Sequence, residues 1–179
     1  MMYFSIPADF NYLTIDKLAE INEQYKSKAK IIETYGQITE CSIKSSGRIT
    51  DMLPKVTEKE LEKYISYSLK RNINFNYTLN PACFGNYEFT KEGIKNLKEF
   101  LIRLKNIGVN LLTVASPSLF EFIKILGIEF ELKASAICEI TSPGKALFYE
   151  RLGASRIVID PDITKDFTKI KNIYSCLLY

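Results

Sequence analysis

Short apolar runs recur along the chain at Met2–Pro7, Ile31–Tyr35, Ile73–Thr78, Asn110–Ala115, Glu131–Ile137 and Arg156–Asp160. The longer segments between them carry apolar residues at helical spacing. Alternation of this kind predicts a parallel sheet with helices packed on it. The pattern gives about six strand–helix units in a single βα-repeat domain over residues 1–179. A closed (β/α)8 barrel takes eight units and typically about 250 residues. The expected fold is therefore α/β, an incomplete TIM-like (β/α) barrel, possibly truncated.

The helical segments carry their own punctuation. Thr14–Ile21 opens a helix with Leu18, Ile21 and Tyr25 on one face. Thr57-x-x-Glu60 is a capping box, in which hydroxyl and carboxylate satisfy orphan backbone N–H groups. Leu61, Tyr64, Ile65 and Leu69 then line one side. A third helix points Ile94, Leu97, Leu101 and Leu104 inward and stops at Gly108, which suits the left-handed position past a helix end. Ser116-Pro117 and Ser142-Pro143 repeat one junction, a serine N-cap with proline at the first helical position. Asp162 is a candidate cap for a last helix. The end, Tyr174–Tyr179, is apolar where free termini are usually polar. It reads as an element begun and cut off, or as a cover for an open sheet edge.

Composition narrows the chemistry. Apolar residues make up 46% and charged residues 25%, ordinary for a globular protein. No apolar run approaches the roughly 18 residues of a membrane span. The N-terminus lacks a secretory n-region and h-region, so the expected location is cytoplasmic and no membrane partner is expected. The net charge of +3 is spread over lysines beside glutamates, as in Glu58–Lys63. That distribution argues for a solvated face and against nucleic acid as a partner. Four cysteines, Cys41, Cys83, Cys138 and Cys176, are far apart with no C-x-x-C pair. Such spacing suggests neither disulfides nor a metal site. There is no histidine. Ser-His-Asp or Cys-His nucleophile pairs, histidine zinc sites and a histidine base are thereby excluded for this chain.

Ligands of parallel βα proteins bind at the carboxyl ends of the strands. That rule selects Glu33 and Tyr35, then Asn76, Asn80 and Cys83, then Ser116, Ser135, Glu139 and Asp160, with Arg48 and Glu88 in the two long loops above the same face. Glu33, Glu88 and Glu139 are the acid or base candidates. Tyr35, Arg48, Asn76, Asn80, Ser135 and Asp160 are the binding candidates, with Arg48 suited to a carboxylate or phosphate. A buried Glu33 requires Arg or Lys beside it, or a raised pKa. Most of these also have plain structural readings: Ser116 as a cap, Asn80-Pro81 and Asp160-Pro161 as turns. Gly36 and Ser45–Arg48 offer a weak anion nest that matches neither Walker A nor G-x-G-x-x-G.

The order Glu33-Thr34-Tyr35-Gly36, Ser46-Gly47-Arg48 and Phe75–Asn80, with Cys83, Gly85, Asn86 and Glu88 following, resembles the N-terminal half of the peptidase U32 family, the collagenase-like proteases. Leu112–Pro117, Lys133-Ala134-Ser135 with Glu139-Ile140, and Tyr149–Ala154 running into Ile157–Asp160 extend the likeness over nearly the whole chain. The resemblance implies a TIM-like barrel in a hydrolase or a related barrel enzyme, acting on a peptide or on RNA or small-molecule precursors. Some relatives carry an iron–sulfur cluster, whose ligating cysteines lie beyond the matched segment. The cofactor is thus unknown, and a cluster is expected only with a further cysteine-bearing part. The alternative is a non-catalytic binding module or remnant. With two sheet edges open, a second copy or a partner chain is expected to complete the sheet.

Overall fold

The computed structural model describes residues 1–39 and 53–177. Six strands run β1 Met2–Pro7, β2 Ala29–Gly36, β3 Asn74–Leu79, β4 Leu111–Val114, β5 Glu131–Ala134 and β6 Ala154–Ile157. Their spatial order is their chain order, and every neighbouring pair is parallel. Among the described residues β1 pairs with β2 alone and β6 with β5 alone, so the sheet is an open arc, a half-barrel.

The helices are α1 Tyr12–Gln24, α2 Glu58–Leu69, α3 Lys91–Asn106, α4 Pro117–Leu126, α5 Pro143–Arg151 and α6 Phe167–Cys176. They cover the outer face of the arc. Phe75, Tyr77 and Leu79 of β3, Leu112 and Val114 of β4, and Leu132 and Ala134 of β5 are buried there. Tyr64 of α2 stacks edge-on to Phe75, with ring centroids 5.9 Å apart, and Phe100 of α3 to Tyr77 at 5.8 Å. Between α1 and α2, the Asp16 carboxylate accepts from the Tyr67 hydroxyl and pairs with Arg71.

Strands of all-parallel sheets are usually apolar on both faces. Here they are not. In β3, Asn74, Asn76 and Thr78 alternate with Phe75, Tyr77 and Leu79, and the period of two turns the polar set to the inner face. Thr113 pairs in register with Lys133, and Lys133 with Arg156, while Ser5 pairs with Glu33. One concave face therefore collects Glu33 and Asn76, both buried, with Ser5, Thr113, Lys133 and Arg156 around them.

Several local expectations differ from the structure. Ile21, Tyr25, Leu69 and Ile94, placed inward by spacing, are each more than 40% exposed. Ile15 and Leu18 carry the buried stripe of α1, and Ser68 replaces Leu69 on α2. The helix caps also differ. Asn11 caps α1, and Asp166 rather than Asp162 caps α6. Ser142 caps α5 through the Lys145 N–H, whereas the Ser116 hydroxyl makes no cap bond and meets Ser118 Oγ at 2.6 Å. β5 ends at Ala134, three residues early, because Ser135 caps a 3-10 turn over Ala136–Cys138. Gly108, at φ +95°, does end α3.

Candidate functional site

Glu33 is 1% exposed at the centre of the inner face. Its Oε1 accepts from Ser5 Oγ at 2.8 Å and Asn76 Nδ2 at 3.2 Å, and pairs with Lys133. Its Oε2 accepts from Arg156 at 2.8 Å. Thr113 Oγ1 donates to Asn76 Oδ1 at 2.8 Å, which fixes the amide with its N–H side toward the carboxylate. Arg156 also pairs with Glu131. Five strands thus send side chains to one carboxylate or to the residues that hold it.

Burial alone would push the Glu33 carboxyl up. The Lys133 ammonium, the Ser5 hydroxyl and the Arg156 charge outweigh it and hold the carboxyl below its ordinary value of 4.5. Glu33 is therefore an ionised anchor near neutral pH. Both its oxygens are occupied by donors, so it is arranged to fix Lys133 and Arg156.

Above this floor, toward the carboxyl ends of the strands, lies a cavity of about 690 Å³. Tyr35, Gln37, Thr78, Asn80, Thr113, Lys133 and Ser135 supply its polar lining, and Phe10, Leu53, Pro54, Ile137 and Val158 its apolar wall. Asn80 Nδ2 donates to Ser135 Oγ at 2.9 Å, which joins the loops after β3 and β5 across the mouth. Gly36 lets the Phe10 ring close on the wall, since a Cβ there would stand 3.0 Å from Phe10 Cζ.

The structure brings Tyr35, Asn80 and Ser135 to the cavity lining and Asn76 and Glu33 to its floor. It leaves three candidates apart. Glu139 is exposed, in left-handed conformation at the end of the Ala136–Cys138 turn, and does not line the cavity. Glu88 turns to Ser118 at 3.5 Å, with its Oε2 buried and unpaired, and does not line the cavity either. Asp160 accepts from the Asp162 N–H at 2.8 Å as a turn residue. Arg48 lies outside the described residues. Lys133, Arg156, Thr113 and Gln37 were not among the sequence candidates. The alternation Glu131-Leu132-Lys133-Ala134 carried a signal for Lys133, because it puts a lysine on the face opposite Leu132 and Ala134.

The described cysteines do not suit a cluster. Cys83 is exposed on the loop after β3, Cys176 ends α6, and Cys138 is buried with Sγ directed at the Val114 and Ala115 carbonyls. Burial pushes the Cys138 thiol up, which keeps it protonated. Among the described residues no group of three or more Cys, Asp or Glu is assembled that could hold a metal ion. Among the same residues no helix is long and apolar enough to cross a membrane.

The peptidase family U32 model matches residues 46–176. An uncharacterised protease of Methanocaldococcus jannaschii is 32% identical over 178 residues, which cover 97% of this chain and 51% of that protein. The chain thus spans about half the length of this curated relative. The solved U32 peptidase Mk0906 superposes with a TM-score of 0.75 at 19% identity, covering 98% of this chain and 64% of its own. A D-psicose 3-epimerase solved with D-fructose shares the fold more distantly, with a TM-score of 0.51 at 12% identity over 97% of this chain and 70% of its own. A family model that takes in most of the chain, and a relative that follows it almost end to end, agree with the half-barrel and its sequential strand order: the chain belongs to the peptidase family U32.

Proposed function

We propose that the cavity at the strand ends is the substrate site of a U32-type peptidase or a closely related barrel enzyme. Its substrate is a peptide or a small polar molecule that enters from the loop side and rests on the charged floor. The observation that carries this reading is the Glu33–Lys133–Arg156 network. A buried ionised carboxylate is costly unless paired and hydrogen-bonded, and an apolar inner face would fill the arc at lower cost. The arrangement makes sense as a device that holds Lys133 toward a substrate. Lys133 is the contact residue, Glu33 and Asn76 position it, and Tyr35, Asn80 and Ser135 line the path. Glu88 and Glu139 have no part in this reading.

A second reading, binding without turnover, is favoured by one observation: both Glu33 oxygens are engaged by donors, leaving no carboxylate among the described residues of the floor free to move a proton. The test is a mixture of unblocked and blocked peptides incubated with wild type, Lys133→Met and Glu33→Gln, with cleavage followed by mass spectrometry. Turnover by wild type that falls about 100-fold or more in Lys133→Met supports the enzyme. Turnover unchanged in both variants overturns the site. Peptide binding that Lys133→Met removes, with no cleavage by wild type, supports the second reading.

A further inference from the structure

Lys133 is the one formally charged residue among the described residues that line the cavity. Glu33 lies beneath it, 1% exposed, and is not part of the lining. The ammonium has three protons, and among the described residues Glu33 Oε1 is its one acceptor. Glu33 does not depend on Lys133 alone, since Ser5, Asn76 and Arg156 also donate to it. Lys133 can therefore engage a second anion without stripping the first.

A second observation is independent of this charge. Gln37 is 7% exposed and lines the same cavity, and its side-chain carbonyl is buried without a donor. Buried polar atoms are nearly always paired, so an orphaned carbonyl in a cavity wall offers an acceptor to a donor on a bound molecule, such as a peptide N–H. Thr78 Oγ1, on a neighbouring part of the lining, is also unpaired. The cavity thus offers a cation and a free acceptor at once, beside an apolar wall of Phe10, Leu53, Pro54, Ile137 and Val158. Its volume lies in the range that holds a drug-sized ligand, larger than a single small acid.

We propose that the cavity takes the carboxyl-terminal end of a peptide. The terminal carboxylate sits on Lys133, an amide N–H of the last residues donates to Gln37 Oε1, and the last side chain rests against Phe10, Pro54 and Ile137. This rests on the substrate-site reading above and adds to it which part of a peptide is held.

The test is calorimetric titration of the 179-residue chain with N-acetyl-alanyl-phenylalanine, with the same compound as its carboxamide, and with acetate. The acid is expected to bind about tenfold or more tighter than the amide, the worth of a charge-assisted contact, and acetate far more weakly than the acid. Lys133→Met removes the preference for the acid and Lys133→Arg keeps part of it. Gln37→Leu weakens acid and amide alike. Equal binding of acid and amide to wild type, or no binding of the acid, overturns the proposal. Acetate as tight as the acid overturns the peptide part. If Lys133→Met does not fold, the wild-type comparison of acid and amide decides alone. Lys133-dependent cleavage of internal peptide bonds with no preference for a free carboxylate would sink end recognition and leave the substrate site standing. Acid preference without cleavage would do the reverse.

Discussion

Glu33 is a carboxylate surrounded by four donors, so its own contribution to stability depends on keeping its charge. Glu33→Gln removes the charge and leaves Lys133 and Arg156 facing an amide. Breaking a buried pair from one side costs about 3–5 kcal/mol, and urea titration near neutral pH is expected to show a loss of that order. The sign of its pH dependence follows from the depressed folded pKa. The charge of Glu33 stabilises fully above 4.5, its ordinary value, and the benefit fades as pH falls toward the lower folded value. The gap between wild type and Glu33→Gln should therefore narrow below that pH, and a constant gap in urea titrations on both sides of it would show that the ion pairs do not set it. The sequence made part of this legible. An acid inside Ile31-Ile32-Glu33-Thr34-Tyr35 announced a need for a cation. Which cation was not legible, because Lys133 and Arg156 lie 100 and 123 residues further on and only the register of four intervening pairings sets them opposite Glu33.

Helix ends were the most legible elements where a side chain can act alone. In the α2 capping box the Thr57 hydroxyl accepts from the Glu60 N–H while Glu60 Oε2 accepts from the Thr57 N–H at 2.8 Å. Thr57→Ala should cost about 1 kcal/mol, measured by thermal or urea unfolding. Ser116→Ala tests the contrast: its hydroxyl makes no cap bond, so it should cost clearly less than Ser142→Ala, whose hydroxyl accepts from the Lys145 N–H. Equal losses would mean that the Ser116–Ser118 contact matters as much as a cap. Helix faces were read too widely. A helix on the outside of an arc touches strands along a narrow stripe, so residues at its margin, such as Ile21, Tyr25 and Ile94, stay partly in water although their spacing fits.

For the whole molecule, the order of units was legible because each apolar run pairs with the next one along the chain. The polar inner face was most legible in β3, where Asn74-Phe75-Asn76-Tyr77 alternates openly, and only faintly in strands of four residues such as β5. The open arc leaves β1 with Met2 and Tyr3 each more than 60% exposed. An exposed apolar edge strand invites pairing with other chains, and an edge lysine discourages it. Tyr3→Lys should slow concentration-dependent light scattering without lowering the unfolding midpoint by more than about 0.5 kcal/mol's worth. Scattering unchanged would direct attention to the exposed Phe167 and Tyr174 of α6.

Sequential strand order and a site that reaches from β2 to β6 combine into a timetable. On the ribosome the first βα units emerge and can pair at once, since each needs just its predecessor. The acidic side chain at the heart of the inner face then waits, hydrated and uncompensated, until 100 further residues have been synthesised and β5 delivers its lysine, and 123 until β6 delivers its arginine. Assembly of the binding surface thus trails that of the first strands, and a nascent chain stalled before β5 would carry the scaffold without the chemistry.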